Sequence, residues 1–527
     1  MTDPRPALPA IRLESHFGDR VMPCFAQRPP DVWALFETAL ATAPQADAVV
    51  HEGQRLSWQE LARVADETAA GFAAAGVKPG DRVGLLVGNR LAHVTALAGL
   101  MRLGAIAVPM GTRLQGPEVA YILGHCGAVG VVHDPELAAR LPSPDEAPAL
   151  RGRWTEPPRA TGEALRALPP RPAVQEEDTA FILYTSGTTG RPKGAMLTHL
   201  NVVHSVLHFR HAMQLGPGER SLLAVPASHV TGLVAIILSM WGCAGCVVLM
   251  PEFKAPAYIE LAARERITHT ILVPAMYTLL LMQPAFASAD LSAWRIGGYG
   301  GAPMPETTIA TLAARLPRLE LINAYGATET TSPATLLPAA MAAERPDSVG
   351  LTLPCAEIRV MDPQGREVAP GESGELWIRG PMVVPGYWDN PEGTRNGFRA
   401  GFWLSGDVGS IDAQGFVRVF DRLKDMLNRG GYKIFSVEVE NVLAACPGVV
   451  ESAIIGKPCP VLGERVHAFV SVNDPTLDAA RLKAFCAERL ADYKVPEGFT
   501  IGSVPLPRNA NGKLLKRTMR EQLLAQD

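Results

Sequence analysis

The residues best suited to chemistry lie in one short run, Tyr184-Thr185-Ser186-Gly187-Thr188-Thr189-Gly190-Arg191-Pro192-Lys193-Gly194. Its glycines let the backbone fold tightly and aim N–H groups inward. Its hydroxyls add neutral donors and Lys193 adds positive charge, so the loop suits phosphate oxygens. It is not a Walker A loop, which needs Gly-Lys-Ser/Thr after four free positions; here Pro192 precedes the lysine. A flexible linker has no use for Arg-Pro-Lys-Gly behind an apolar strand. Gly216/Gly218 and Gly298/Gly300 lack the third glycine of a dinucleotide fingerprint, so a Rossmann dehydrogenase is poorly supported.

Other groups carry less. Cys243 and Cys246 have zinc-ribbon spacing but sit in an apolar run with no second pair in reach, which reads as two buried thiols. His204, His208 and His211 share a helical face without the carboxylate of a His-Glu-x-x-His site, which speaks against a metal there. No serine stands in a Gly-x-Ser-x-Gly context, so a nucleophilic hydrolase is unsupported. His229, taken alone, is equally a satisfied core histidine or a pocket gate.

Such a loop needs a scaffold. Val32 to Ala75 reads as helix, short strand around Ala48–Val50 and helix, with Leu61, Val64, Ala65, Thr68 and Phe72 as its stripe. Strand Val83–Val87, helix Ala92–Leu103 and strand Ala105–Pro109 follow, the rhythm of parallel α/β units. Leu141–Gln175, dense in proline, reads as surface connection with one helical turn. Strands resume at Ala180–Tyr184, Ser221–Val225, Cys246–Met250, Thr270–Val273 and Leu319–Asn323. Beyond Gly350, the segments Ile358–Met361, Gly374–Arg379 and Gly415–Phe420 alternate apolar and polar residues, predicting a smaller antiparallel sheet. Helix Val437–Ala445, strands Val450–Ile455 and Ala468–Val472, and helix Ala479–Leu490 are expected last. The fold class is α/β: a tail over residues 1–30, a large domain of α/β layers with a small β-rich subdomain over 31–421, and a small α+β domain over 422–527.

With 527 residues, 47% hydrophobic and 19% charged, the chain has material for large cores and more than one domain. Lys+Arg 49 against Asp+Glu 53 gives a net charge of -4, which excludes a strongly basic nucleic-acid coat and a polyacidic tail protein. The eight cysteines are scattered, which suits a reducing compartment. Met1 to Pro30 has no apolar core of signal-peptide length, so a cytoplasmic protein without a nucleic-acid partner is expected. Val230–Met250 carries no charge and is long enough to nominate a membrane span. The break Trp241-Gly242-Cys243-Ala244-Gly245 divides it into a buried helix and a buried strand, so no membrane span is expected.

The run 184–194 closely resembles the signature of the adenylate-forming superfamily, which contains acyl-CoA synthetases, aryl-CoA ligases, firefly luciferase and peptide-synthetase adenylation domains. Further motifs follow in the family's order: His229-Val230-Thr231-Gly232, Gly300-Gly301-Ala302-Pro303, Tyr325-Gly326-Ala327-Thr328-Glu329 and Gly374-Glu375-Leu376. Ser405-Gly406-Asp407, Asp421-Arg422-Leu423-Lys424-Asp425, Gly430-Gly431-Tyr432-Lys433 and Asn511-Gly512-Lys513 complete the set. The resemblance spans residues 30 to 520.

The resemblance implies an ATP-dependent acid–CoA ligase with ATP, Mg²⁺ and CoA as its cofactor and co-substrates. Acid and ATP give acyl-AMP and pyrophosphate, and the CoA thiol then displaces AMP. It implies that Thr185, Ser186, Gly187, Thr188, Thr189 and Gly190 with Lys193 hold the β- and γ-phosphates. Gly301, Ala302, Pro303 and Tyr325 would enclose adenine, Thr328 would touch the α-phosphate, and Glu329 would bind Mg²⁺. Asp407 with Arg422 would take the ribose hydroxyls. Lys513 would bridge carboxylate and α-phosphate as charge develops. The C-terminal domain would be mobile about Lys424, Gly431 would line the pantetheine tunnel, and the segment from His229 to Val234 would help build the acid pocket, with His229 either its gate or a satisfied core histidine.

One departure is Asn428, where firefly luciferase has lysine, which disfavours a light-emitting oxygenase. Ser228–Pro251 contains no Asp or Glu to hold an amino acid's amine, and no Arg or Lys to hold a second carboxylate. An apolar acid is expected, a fatty acid first because Tyr-Gly-Gly-Ala-Pro resembles that branch, an aryl acid next. Two rivals stay open: an acyl-AMP ligase loading a carrier-protein thiol, and a non-catalytic adenylate-binding sensor. A homodimer is compatible with the sequence.

Overall fold

A computed structural model describes residues 9–185, 191–302, 304–508 and 514–525. The chain packs as two compact units. The first comprises the chain up to Ile358 with Trp377–Leu404 and Gly415–Val417; the second comprises Arg359–Leu376, Ser405–Gln414 and the chain from Arg418 on.

The first unit holds two sheets of the kind the apolar strands predict. One runs in the order Lys193–Thr198, Thr179–Thr185, Ile106–Pro109, Arg82–Leu86, Gly130–His133 and Gly152–Trp154. Its neighbours are parallel except for the hairpin that carries the glycine-rich loop. The other has a parallel centre of Glu320–Tyr325, Ile296–Gly300, His269–Leu272, Arg220–Leu223, Cys246–Leu249 and Asp47–His51. Antiparallel strands flank it at both ends. Helices cover the faces, so central strands are buried on both sides and read as unbroken apolar runs, as in Cys246–Leu249.

The uncharged stretch resolves as expected into helix and strand. Thr231–Leu238 is wound as a π-helix, Ser239–Cys243 as α-helix, and Cys246–Leu249 is the strand. Among the described residues no helix is long and apolar enough to cross a membrane. All eight cysteines are buried free thiols, and burial pushes Cys243 and Cys246 up to about 12. The proline-rich connection holds the expected helical turn, Gly162–Arg166, and beyond expectation an edge strand, Gly152–Trp154. The N-terminal stretch forms a hairpin, Ile11–His16 with Arg20–Phe25.

The second unit has its own sheet, in which Gly463–Val472 pairs antiparallel with Val449–Cys459 and parallel with Gly498–Gly502. Helices Ser436–Ala444 and Ala479–Ala487 bury Val439, Leu443, Leu482 and Cys486 with Ile454, Val466 and Val470 of that sheet. Helix Lys516–Leu524 buries Met519 and Leu523 with Ala453, Ile455 and Phe469.

Candidate active site

Strands Thr179–Thr185 and Lys193–Thr198 pair with Thr185 opposite Lys193 and Tyr184 opposite Gly194, so both ends of the glycine-rich loop are fixed on one sheet edge. Thr185 Oγ1 donates to the Lys193 carbonyl at 3.5 Å. Ser186, Gly187, Thr188, Thr189 and Gly190 lie outside the described residues, as do Pro303 and Lys513.

The Lys193 ammonium stands 5.0 Å from the centroid of the Tyr387 ring, within reach of its negative face. The Tyr387 hydroxyl donates to Glu329 Oε1 at 3.0 Å. Burial and the Glu329 carboxylate push the Tyr387 pKa well up, so the phenol remains a donor. Glu329, only 8% exposed, sits on the 3₁₀ turn Thr328–Thr330, which follows strand Glu320–Tyr325. Ala327 N donates to Thr330 Oγ1 at 2.9 Å and closes that turn. Two candidates from distant parts of the sequence, Lys193 and Glu329, thus meet on one tyrosine. A buried carboxylate beside hydroxyl groups is an oxygen donor set, which fits Mg²⁺.

Gly301 and Ala302 are exposed just past strand Ile296–Gly300, and half-buried Tyr325 ends the neighbouring strand, with Gly300 opposite Ala324. The adenine candidates therefore leave adjacent parallel strands at the same carboxyl-terminal edge, where open α/β sheets take their ligands.

His229 is half-buried, and its carbonyl accepts from Leu233 N at 2.8 Å as the helical segment begins. A Cβ at Gly232 would come within 2.3 Å of the Pro226 carbonyl oxygen, so only glycine fits that bend. Asn89, which sequence reading missed, holds the approach. Its Nδ2 donates to Val225 O at 2.9 Å and Met250 O at 3.0 Å, and its Oδ1 accepts from Ala227 N at 2.8 Å.

The second unit gathers the other candidates. Asp407 is 3% exposed and its Oδ1 lies 2.7 Å from Arg422 Nε. Leu423 N donates to Gly406 O at 2.7 Å, which pins the two motifs side by side. Asp421 accepts from Arg422 N at 2.8 Å, from Ser436 Oγ at 3.1 Å and from Ser436 N, while burial raises its pKa. Lys516 Nζ reaches Ser436 Oγ at 2.5 Å and Glu440 at 2.7 Å. This interior network escaped sequence reading because no motif marks Ser436, Glu440 or Lys516. Gly431 is exposed at φ 89°, with open space where a Cβ would stand, and Lys424 is exposed.

Two of the histidines set aside as ligands, His204 and His208, have backbone partners, as does His199 on the same helix. His199 Nδ1 accepts from Val32 N and His204 Nε2 from Phe25 N, each at 3.2 Å, and His208 Nε2 donates to Pro354 O at 2.7 Å. Glu14, His16 and Cys24 also cluster closely enough to hold a metal ion. Arg28 already engages both Glu14 oxygens, at 2.9 and 2.7 Å, and its charge opposes a cation there.

Residues 36–388 match the family described as AMP-binding enzyme, and residues 438–513 match the AMP-binding enzyme C-terminal domain. A feruloyl-CoA synthase from an Amycolatopsis species is 38% identical over 483 residues, covering 91% of this chain and 96% of that protein. The long-chain-fatty-acid–CoA ligase FadD13 of Mycobacterium tuberculosis is 34% identical, covering 94% of this chain and 98% of that one. The solved structure of O-succinylbenzoate CoA synthetase from Bacillus subtilis with ATP and magnesium superimposes with a TM-score of 0.82 at 28% identity, covering 94% and 99% of the two chains. Family match and relatives agree with the chemistry that the clustered side chains support, and the chain belongs to the AMP-binding enzyme family, in its AMP-forming acid–CoA ligase branch, whose reaction takes ATP, Mg²⁺ and CoA.

Proposed function

We propose that this chain converts an apolar monocarboxylic acid into its CoA thioester through an acyl-adenylate. The observation that carries the reading is the meeting of Lys193 and Glu329 on Tyr387, a cation and a carboxylate fixed on one side chain, with Lys193 heading the strand that follows the glycine-rich run. A carboxylate oxygen is a poor leaving group; once it has attacked the α-phosphate of ATP and expelled pyrophosphate, AMP can leave when the thiol arrives. In this reading the loop amides and hydroxyls with Lys193 hold the β- and γ-phosphates, Thr328 orients the α-phosphate, and Gly301, Ala302, Pro303 and Tyr325 flank adenine. Asp407 and Arg422 receive the ribose hydroxyls. Bound Mg²⁺ would offset charge on the phosphate oxygens, and Glu329 is the residue to hold it. Lys513 adds positive charge as the carboxylate attacks, and Gly431 leaves room for the thiol arm in the second step. Residues 422–527 form the mobile domain, with Lys424 as its hinge.

The acid is apolar because Ser228–Pro251 offers neither anion nor cation, and Leu233–Leu238 is wholly buried. A fatty acid is the first reading, supported by Tyr299-Gly300-Gly301-Ala302 and by the FadD13 relative. An aryl acid is the second, favoured by the feruloyl-CoA synthase relative. A screen of fatty, cinnamic and benzoic acids with ATP, Mg²⁺ and CoA, read by AMP release and thioester mass, tests both. Thioesters from one series assign the class. AMP release with the acyl group appearing only on an added carrier protein would move the thiol from CoA, and no AMP release with any acid would overturn the reading.

A further inference from the structure

Tyr387 lies outside the motifs quoted above, yet it touches both charged groups that the reading above assigns to nucleotide. Its hydroxyl donates to Glu329 Oε1 at 3.0 Å, and its ring face lies 5.0 Å from Lys193 Nζ. The tyrosine is itself tightly held. It is 7% exposed, its backbone N–H donates to Thr394 Oγ1 at 3.0 Å, and Phe398 packs edge-on at 5.6 Å.

The surrounding segment is stitched to both sides. Val384 N donates to the Glu329 carbonyl at 3.0 Å. Met196 N donates to Gly386 O at 3.1 Å, and Trp388 N to Gly194 O at 2.7 Å, so the segment pairs with the strand that leaves the glycine-rich loop. Arg20, from the N-terminal hairpin, donates to Val384 O at 3.0 Å and Pro385 O at 2.8 Å and holds the segment from behind.

We propose that Tyr387 is a positioning residue for nucleotide activation: its hydroxyl aims the Glu329 carboxylate at the metal and its ring face sets the Lys193 ammonium toward the phosphates. A carboxylate with one oxygen committed to a fixed donor keeps a single rotamer and presents its other oxygen in a constant direction. An ammonium resting on a ring face keeps its charge but loses part of its freedom to swing. One side chain thereby couples the placement of two opposite charges, and the inference rests on the assignment of Mg²⁺ to Glu329 and of phosphate to Lys193.

The test is calorimetric binding of ATP to the full chain, once with Mg²⁺ and once with EDTA. Tyr387→Phe keeps the ring and removes the hydroxyl. It is expected to weaken Mg·ATP binding about tenfold, the scale of a hydrogen bond to a charged group, and to leave Mg-free ATP as in the parent. Tyr387→Leu removes both contacts and is expected to weaken both forms. A merely structural role would lower the two affinities together in Tyr387→Phe, and that result overturns the inference. Glu329→Gln separates the inference from the reading beneath it. If Glu329→Gln loses the preference for Mg·ATP while Tyr387→Phe keeps it, Tyr387 does not position Glu329 and the reading stands. If Glu329→Gln also keeps it, the metal assignment fails and takes the inference with it. Should Tyr387→Leu not melt cooperatively, the near-isosteric Tyr387→Phe decides alone.

Discussion

Asp407 and Arg422 illustrate what a single pair of side chains contributes. The carboxylate is almost wholly buried and the guanidinium is half-exposed, with 2.7 Å between them. The arginine therefore orients the acid, and a carboxylate, with several acceptor sites, is suited to two vicinal hydroxyls. Asp407→Ala leaves no buried charge behind, because Arg422 reaches solvent, so the fold should tolerate it. Its expected effect is on recognition: ATP binds about tenfold more weakly or worse, and the preference for ATP over 2′-deoxyATP disappears. Competition binding of the two nucleotides measures this, and an unchanged preference in Asp407→Ala would remove Asp407 from the ribose site. Asp407 was legible because it stands in a short motif, Ser405-Gly406-Asp407. Tyr387 was not, because its value lies in touching Glu329 and Lys193, and nothing local in Gly386-Tyr387-Trp388 encodes those contacts.

At the scale of elements, helix His199–Ala212 shows how buried polar groups tie segments together. Its N-cap Thr198 Oγ1 accepts from Asn201 N and Asn201 Oδ1 accepts in turn from Thr198 N, so the first turn is closed without solvent. Three of its histidines then serve the N-terminal stretch and Pro354 as neutral hydrogen-bond partners. Burial holds His199 and His208 at about 4 and His204 at about 3, and His93 and His269, at about 4 and 3, behave alike. The unfolded chain takes up these protons as pH falls through about 6.5, whereas the folded chain does not until much lower. Stability is therefore complete above that value and declines below it, by up to about 1.4 kcal/mol per pH unit for each histidine. Urea midpoints are expected to fall steeply between pH 7 and pH 5, before ordinary carboxylates titrate. His204→Gln, which can still donate and accept, should flatten the slope, and an identical slope would mean that His204 is protonated in the folded state. The same region explains a miss. In the hairpin Ile11–His16/Arg20–Phe25 the apolar Ile11, Leu13 and Val21 are exposed, while Glu14 and His16 turn inward to Arg28 and Glu177. Along the first strand that inverts the usual alternation, so the stretch reads as a polar tail. The parallel strands were legible for the opposite reason, since burial on both faces leaves unbroken apolar runs such as Cys246–Leu249.

At the scale of the whole molecule, the second unit draws on three separate stretches of chain, Arg359–Leu376, Ser405–Gln414 and the part from Arg418 on, a division that no change of composition marks. Family motifs assign to its last stretch one group for each half-reaction: Lys513 for adenylation and Gly431 for thioester formation. If that division of labour holds, the two steps can be lost separately. Lys513→Ala is expected to abolish acid-dependent exchange of pyrophosphate into ATP by at least about a hundredfold, as removal of a charge aimed at the transition state does, while preformed acyl-adenylate is still converted by CoA. Gly431→Trp should do the reverse. At φ 89° any side chain strains the backbone, so Gly431→Ala is the necessary control. Alanine carries the strain without the bulk, and because open space surrounds the Cβ position it should slow thioester formation only slightly. A block in Gly431→Trp that is absent from Gly431→Ala is therefore steric obstruction of the thiol path. Equal losses in the two variants would reduce Gly431 to a backbone requirement, and loss of both half-reactions in Lys513→Ala would mean that the lysine serves the fold rather than the first step.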